Sequence, residues 1–383
     1  MPEGGTVAHE DSELLPGETP VRFLDQDGRA LDETRYPMPP LSELQAAYRA
    51  LVVARRINEQ CSALVRQGRL AVYPSSHGQE ACEVAAALPL AERDWLFPTY
   101  RDAVAVIGRG VPPAEAMVLL QGDWHSGYDP REHGVAPQAT PLATQLLHAA
   151  GFAHAAKLRG EDTVVVAMCG DGATSEGDFH EALNLAAVFG LAVVFLVQNN
   201  GFAISVPLSR QTAAASLAHK AIGYGMPGVR VDGNDAAALL AVMHAAVDRA
   251  RAGGGPTLVE AHTYRIQAHT NADDDTRYRD RAEVQEWVAR DPLIRLRSYL
   301  RVCDALSAAA EDEITAEAEA VAAELRDALQ AEHVPDPEDL FRHVYAERTP
   351  RLEEQWAMLA DELARDAESE HAESEHAEHE EAR

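Results

Sequence analysis

The chain predicts an α/β fold built on a doubly wound, mostly parallel sheet, and three observations predict it. Short apolar runs rich in β-branched residues at 163–168, 191–197, 228–231 and 257–261 read as buried strands. The segments between and before them carry apolar residues at helical spacing. The two kinds alternate along the chain, which implies right-handed crossovers and a parallel sheet.

The elements follow in order. Residues 1–40 hold Pro16, Pro20, Pro37, Pro39 and Pro40 with little apolar periodicity, so they read as an extended N-terminal arm lying over a partner or the body. At 41–67, Leu44, Ala47, Tyr48, Leu51, Ala54 and Ile57 form a helical stripe that Ser42 can cap. A second helix follows Gly78, through Ala81, Val84 and Leu88, and residues 144–159 form the helix leading into the strand at 163–168. Ser175-Glu-Gly-Asp178 fits a capping box for a helix at 179–189. Asn234-Asp235 caps a helix at 236–252, which Gly253-Gly-Gly-Pro256 breaks.

From 291 the pattern turns helical, with Leu293, Leu296 and Leu300 on one face and an Ala/Glu-rich stretch at 305–332. The expected organisation is therefore an arm at 1–40, an α/β domain at 41–290, a helical C-terminal region at 291–365 and an acidic tail at 366–383. That tail holds eight acids against one arginine in a low-complexity run, a composition that predicts disorder.

Composition narrows the function. Hydrophobic residues make up 46% of the chain, enough for a real core. A formal charge of -29 argues against nucleic acid, whose phosphates it would repel. There is neither an apolar run of about 18 residues to span a membrane nor a basic segment followed by an apolar core, so no membrane association and a cytoplasmic location are expected. Cys61, Cys82, Cys169 and Cys303 are far apart without Cys-x-x-Cys spacing, which suggests neither a zinc site nor a disulfide framework.

Gly170-Asp171-Gly172 follows the strand at 163–168, and Gln198-Asn199-Asn200-Gly201 follows the strand at 191–197. In an open α/β sheet both loops meet at the carboxyl ends of the strands. Asp171 and Asn200 offer hard oxygen donors, and magnesium takes about six such ligands, sharing them among protein, phosphate and water. The helix that begins after Asp171 adds free amides and a positive dipole end that suit phosphate. A Gly-Asp-Gly alone is a common turn; strand, Gly-Asp-Gly, helix, strand and Asn-Asn in this order is far rarer.

The combination resembles the diphosphate-binding signature of thiamine diphosphate enzymes. With Pro74-Ser-Ser-His-Gly-Gln-Glu80, Phe97-Pro-Thr-Tyr-Arg-Asp102, Thr140-Pro-Leu-Ala-Thr-Gln145 and Thr263-Tyr-Arg-Ile-Gln-Ala-His-Thr-Asn-Ala-Asp-Asp-Asp275, the chain is similar to the alpha subunits of 2-oxo acid dehydrogenase complexes. The similarity runs in collinear order through residues 41–350 and is strongest to the branched-chain type. It implies the thiamine diphosphate-binding fold, thiamine diphosphate and magnesium as cofactors, and oxidative decarboxylation of a 2-oxo acid with acyl transfer to lipoyl on an acyltransferase core.

Residue roles come with the resemblance. Tyr100 and Arg101 match a pair that holds the diphosphate, Arg101 through its planar fork of donors. Asp171, Asn200 and the backbone carbonyl of Phe202 match the magnesium ligands; Phe202 stands where some relatives have Tyr, which leaves a carbonyl ligand intact. Gly172 and Ala173 donate backbone amides to the diphosphate or lie against it, Thr140 touches the cofactor and Leu142 packs under the aminopyrimidine. Thr144 and Gln145 match a monovalent-cation site of some relatives, and a helix start is an equally good reading of Thr144.

His269 matches a histidine near the reactive thiazolium carbon, where an imidazole can move protons or stabilise charge. Thr270 stands where some eukaryotic relatives carry a regulatory phosphoserine, but a hydroxyl in an ordered loop is the preferred reading. Asp273, Asp274, Asp275 and Arg277 order that loop through local pairs. His77 either faces the substrate or packs, and Val72 and Tyr73 form the pocket wall.

A thiamine diphosphate enzyme also needs a carboxylate near the aminopyrimidine, which this family places on a beta subunit. No second doubly wound module follows residue 290, so an alpha-two beta-two heterotetramer is expected. A pyruvate dehydrogenase alpha subunit shares almost every motif, and acetoin dehydrogenase is a more remote version. A non-catalytic binding protein fits poorly with Tyr100, Arg101, Asp171, Asn200 and His269 all present. A nicotinamide enzyme fits worse, because no Gly-x-Gly-x-x-Gly follows a strand.

Overall fold

A computed structural model describes residues 14–33, 35–122, 125–330 and 336–381. Five parallel strands form its sheet: β1 (Trp95–Phe97), β2 (Val165–Gly170), β3 (Val193–Asn199), β4 (Gly228–Asp232) and β5 (Thr257–His262). Their order across the sheet is β1-β2-β3-β5-β4, with every pairing parallel. β3 is buried along its whole length and β2 is buried up to Gly170, as their continuous apolar runs require when helices cover both faces. β1 escapes the sequence pattern because three residues are too few to show a period.

Helices α1 (Leu41–Arg66), α2 (Glu80–Ala87), α3 (Ala103–Gly108), α4 (Thr144–Arg159), α5 (Gly177–Phe189) and α6 (Ala236–Arg251) surround the sheet. Leu146, Ala149 and Ala153 of α4 and Phe179 and Leu183 of α5 share one core with Phe195 and Leu258. The stripe of α1 packs in a second core with α2, α6, Val166 and Leu196. Alternate residues of one strand thus face opposite cores, which makes the sheet doubly wound.

Two expected caps do not form. α1 starts after Pro40, whose extended backbone (φ -63, ψ 149) ends the Pro39-Pro40 run, and no side chain caps it, so Ser42 falls inside the first turn. Residues 172–175 form a 3-10 turn, and α5 begins after Glu176 with no side-chain cap, so the box at Ser175-Asp178 is absent. Asp235, in contrast, accepts from the Ala238 amide at 3.1 Å and caps α6.

The arm joins the body. Val21 pairs in parallel with Val231 of β4, and Phe23 and Leu24 are buried and donate their amides to Asp235 Oδ2 at 2.7 Å. The first 13 residues of that arm lie outside the described residues. Helices α7 (Pro292–Val302) and α8 (Ala308–Ala328) pack on α1 within the compact unit that ends at Gln330.

The second unit, Ala331–Arg383, contains α9 (Asp339–Arg342) and α10 (Pro350–Glu381). Phe341 and Trp356 approach at 5.8 Å between ring centroids, and Arg348 bridges Glu338 at 2.5 Å. α10 runs through residues expected to be disordered. Its Ala and Glu are among the stronger helix formers. Among the described residues no helix is long and apolar enough to cross a membrane.

Candidate active site

Register brings the motifs together. Gly170 pairs with Gln198, Asn199 with His262, and Phe97 with Ala167, so the chain leaves β1, β2, β3 and β5 along one edge. A cavity of about 520 Å³ lies there, lined by Tyr100, Arg101, Thr140, Leu142, Asp171, Gly172, Ala173, Asn200, Phe202 and His269. Val72, Gln145 and Thr270 also line it, whereas Tyr73, His77 and Thr144 do not. A groove of about 600 Å³ between α1, α2, α3 and α8 is larger, but none of the motif residues named above lines it.

Asp171 is 1% exposed, and burial pushes its carboxyl above the ordinary range although Gln211 donates to Oδ2 at 2.6 Å. A buried carboxylate whose close partner is a neutral amide is poised for a cation. Gln211 was not legible as a site residue, since nothing in the sequence marks its loop as returning to Asp171. Gly172 is required by space: a Cβ there would lie 2.7 Å from the Cβ of Ala203, on the two-residue hairpin Phe202–Ala203 with Val206–Pro207.

Asn200 reaches the cavity while Asn199 turns inward, donating to Glu260 at 2.7 Å. Asn200 Nδ2 donates to Gln79 Oε1 at 2.9 Å, and its Oδ1 accepts from the Phe202 amide at 3.2 Å. Among the described residues no three His, Cys, Asp or Glu side chains cluster as a metal cage. A metal here would rely on one carboxylate with amide and carbonyl oxygens, a hard donor set that fits magnesium sharing its shell with phosphate.

His269 is held by two arginines. Arg101 Nη2 and Arg265 Nη1 lie 3.1 and 3.2 Å from its Nδ1. A guanidinium only donates, so Nδ1 accepts and the ring hydrogen sits on Nε2. Burial, then Arg101 and Arg265, lower its pKa to about 4. The result is a neutral imidazole with a fixed tautomer.

Its loop is ordered by nearby groups. Asp273 accepts from the His269 amide at 2.8 Å and from the Tyr278 hydroxyl, which outweigh burial and keep its carboxyl below the ordinary range. Asp274 accepts from the Thr276 amide at 3.2 Å, and Asp275 pairs with Arg279. Arg279 also donates to the carbonyls of Arg265 and Ile266. Arg265 lies in the segment 263–275, where nothing in its spacing marks it as a partner of His269.

Two cavity residues are strained. Ala143 (φ 64) and Ile204 (φ 54) occupy the left-handed region, which costs a non-glycine about 1–3 kcal/mol. The Ile204 carbonyl accepts from Arg265 Nη2 at 2.8 Å, so the arginine beneath His269 also fixes the hairpin. Gln145 donates to the Met168 carbonyl at 2.7 Å, tying the start of α4 to β2.

The chain belongs to the dehydrogenase E1 component family, a family of oxidoreductases, whose model matches residues 48–338. The chain is 51% identical to the 3-methyl-2-oxobutanoate dehydrogenase subunit alpha of Mycobacterium tuberculosis over 90% of this chain and 95% of that protein. It is 41% identical to the pyruvate dehydrogenase E1 component subunit alpha of Staphylococcus aureus over 73% of this chain and 76% of that protein.

Proposed function

We propose that this chain is the alpha subunit of a branched-chain 2-oxo acid dehydrogenase, binding thiamine diphosphate and magnesium at the cavity below the strand ends. The observation that carries the proposal is the convergence of Tyr100, Arg101, Asp171, Asn200 and His269 on one cavity in a chain 51% identical to a 3-methyl-2-oxobutanoate dehydrogenase subunit alpha. When bound, thiamine diphosphate supplies the electron sink for decarboxylation of a 2-oxo acid.

The residues divide the work. Tyr100 and Arg101 hold the diphosphate, and Asp171, Asn200 and the Phe202 carbonyl hold magnesium. Gly172 and Ala173 let the backbone approach, while Thr140 and Leu142 bear on the organic part of the cofactor. His269, neutral and with its hydrogen on Nε2, donates to a developing negative charge without carrying a positive one into the cavity. Thr144 and Gln145 are the candidates for a monovalent cation, Thr144 from outside the cavity wall.

The reading requires a beta subunit, which contributes the carboxylate for the aminopyrimidine, in an alpha-two beta-two assembly. It also requires a lipoylated acyltransferase core to accept the acyl group. The test is coexpression with the beta partner and decarboxylation assays on 3-methyl-2-oxobutanoate and pyruvate with thiamine diphosphate and magnesium. Preference for the branched substrate is expected. Preference for pyruvate would make this a pyruvate dehydrogenase alpha subunit, and no turnover of either would refute the enzymatic reading.

A further inference from the structure

Behind the cavity runs a chain of buried amides that ends at a carboxylate. Asn200 Nδ2 donates to Gln79 Oε1 at 2.9 Å, Gln79 Nε2 to Gln198 Oε1 at 3.0 Å, and Gln198 Nε2 to Asp102 Oδ1 at 2.6 Å. The second Asp102 oxygen accepts from the Thr99 amide at 2.7 Å. Asn200 is 6% exposed, Gln79 2%, Gln198 1% and Asp102 0%, so water is largely unavailable to satisfy a misdirected amide.

Each primary amide has an acceptor end and a donor end, so a line of them carries a direction. Either direction satisfies the contacts within the line, and only its ends choose. A carboxylate accepts and does not donate. It draws the NH2 of Gln198, which presents its oxygen to Gln79, which in turn presents its oxygen to the NH2 of Asn200. The carbonyl oxygen of Asn200 is then left on the other side, where it meets the Phe202 amide.

We infer that Asp102 is a positioning residue that sets the direction of this amide chain and so turns the oxygen of Asn200, and not its NH2, toward the cation. The inference rests on Asn200 being a magnesium ligand, as proposed above. It gives Asp102 a task distinct from that of its neighbours Tyr100 and Arg101, although it shares their loop. Burial raises the carboxyls of both Asp102 and the nearby Glu83; Glu83 lies well above the ordinary range and is the better holder of a proton, while Thr99 and Gln198 support the ionised form of Asp102.

The test exchanges charge within the chain. In Asp102→Asn, the Thr99 amide claims the new oxygen, so the new NH2 faces Gln198 and opposes its donor. The line must then reverse or hold one donor against another. In the double variant D102N/Q198E the carboxylate introduced at position 198 accepts both from the amide introduced at position 102 and from Gln79. The original direction at Asn200 is thereby restored with no change in net charge.

Magnesium-dependent binding of thiamine diphosphate to the assembly with the beta subunit is measured by calorimetry for wild type, N200A, D102N and D102N/Q198E. Asp102→Asn is expected to weaken magnesium binding by about tenfold or more, a usual loss for a group that orients a metal ligand. The double variant is expected to recover most of that loss, which a merely structural role for Asp102 would not predict. If D102N does not assemble, the double variant decides alone, with near wild-type affinity supporting the inference and a loss of about tenfold overturning it. A D102N variant that binds magnesium normally while N200A does not, or a double variant no better than D102N, overturns the inference but leaves the ligand assignment standing. Unchanged binding by N200A removes the ligand assignment and the inference with it.

Discussion

The guanidinium of Arg101 lies 3.1 Å from Nδ1 of His269 and donates to the carbonyl oxygen of the same residue at 3.0 Å. One side chain therefore fixes both the ring and the backbone of the candidate catalytic histidine. Because burial is the larger cause of the lowered pKa and Arg101 the next, Arg101→Met should raise the His269 value from about 4 only part of the way to its ordinary range. The sign follows from proton binding: between about 4 and the ordinary range, the unfolded chain binds more protons at this site than the folded one. Stability from this group is therefore lost as pH falls through that window. Nitrogen-detected NMR titration of the ring checks the shift, and an unmoved pKa would remove Arg101 as a cause.

Asp171 carries the opposite sign. Burial raises its carboxyl, so the folded chain without a metal resists the charged form and this group costs stability as pH rises through its raised pKa. Asp171→Asn should make the metal-free chain more heat-stable near neutral pH, since an amide oxygen can still accept from Gln211. The same substitution should abolish the magnesium dependence of cofactor binding. Thermal melts with and without a chelator, beside binding titrations, measure both effects. A variant destabilised like a simple packing defect would contradict the electrostatic account.

Gly172 tests shape rather than charge. A methyl group there would sit 2.7 Å from the Ala203 Cβ, and overpacking of this kind costs about 1–3 kcal/mol. Gly172→Ala should push the hairpin from the diphosphate loop and weaken cofactor binding while the sheet remains intact. Ala203→Gly in the same chain should recover much of the binding. Failure of the pair to outperform the single variant, measured by calorimetry, would show that the clash is not the cause.

The strands at 163–168, 191–197, 228–231 and 257–261 were readable because apolar runs depend on local sequence, and the loops after two of them carry Asp171 and Asn200. What escaped depends on distant partners. Gln211 reaches Asp171 and Gln79 reaches Asn200 across the fold, and no spacing rule relates them. Arg279, which had no expected role, pairs with Asp275 because a turn at 275–277 brings the residue four positions on within reach. The cap at Ser42 failed because Pro39 and Pro40 already set where the helix begins. Short elements such as β1 exist through pairing with β2, not through their own pattern.

Arg295 is 3% exposed and lies 3.0 Å from Asp232 and 3.6 Å from Asp235, while its Nε donates to the Asp25 carbonyl at 2.8 Å. It also donates to the Leu24 carbonyl, so the arm, β4 and α7 meet on one guanidinium. Asp232 keeps Arg22 at 2.9 Å, so Arg295→Met keeps much of the volume but leaves the buried Asp235 without its cation, a loss of about 3–5 kcal/mol. Burial already raises the Asp235 carboxyl and Arg295 opposes that rise, so removing the arginine raises it further. The penalty should consequently shrink in mild acid, where a proton replaces the missing charge. Denaturant unfolding of the variant near neutral pH and in mild acid measures the difference; an equal loss at both would assign the effect to packing of the arm.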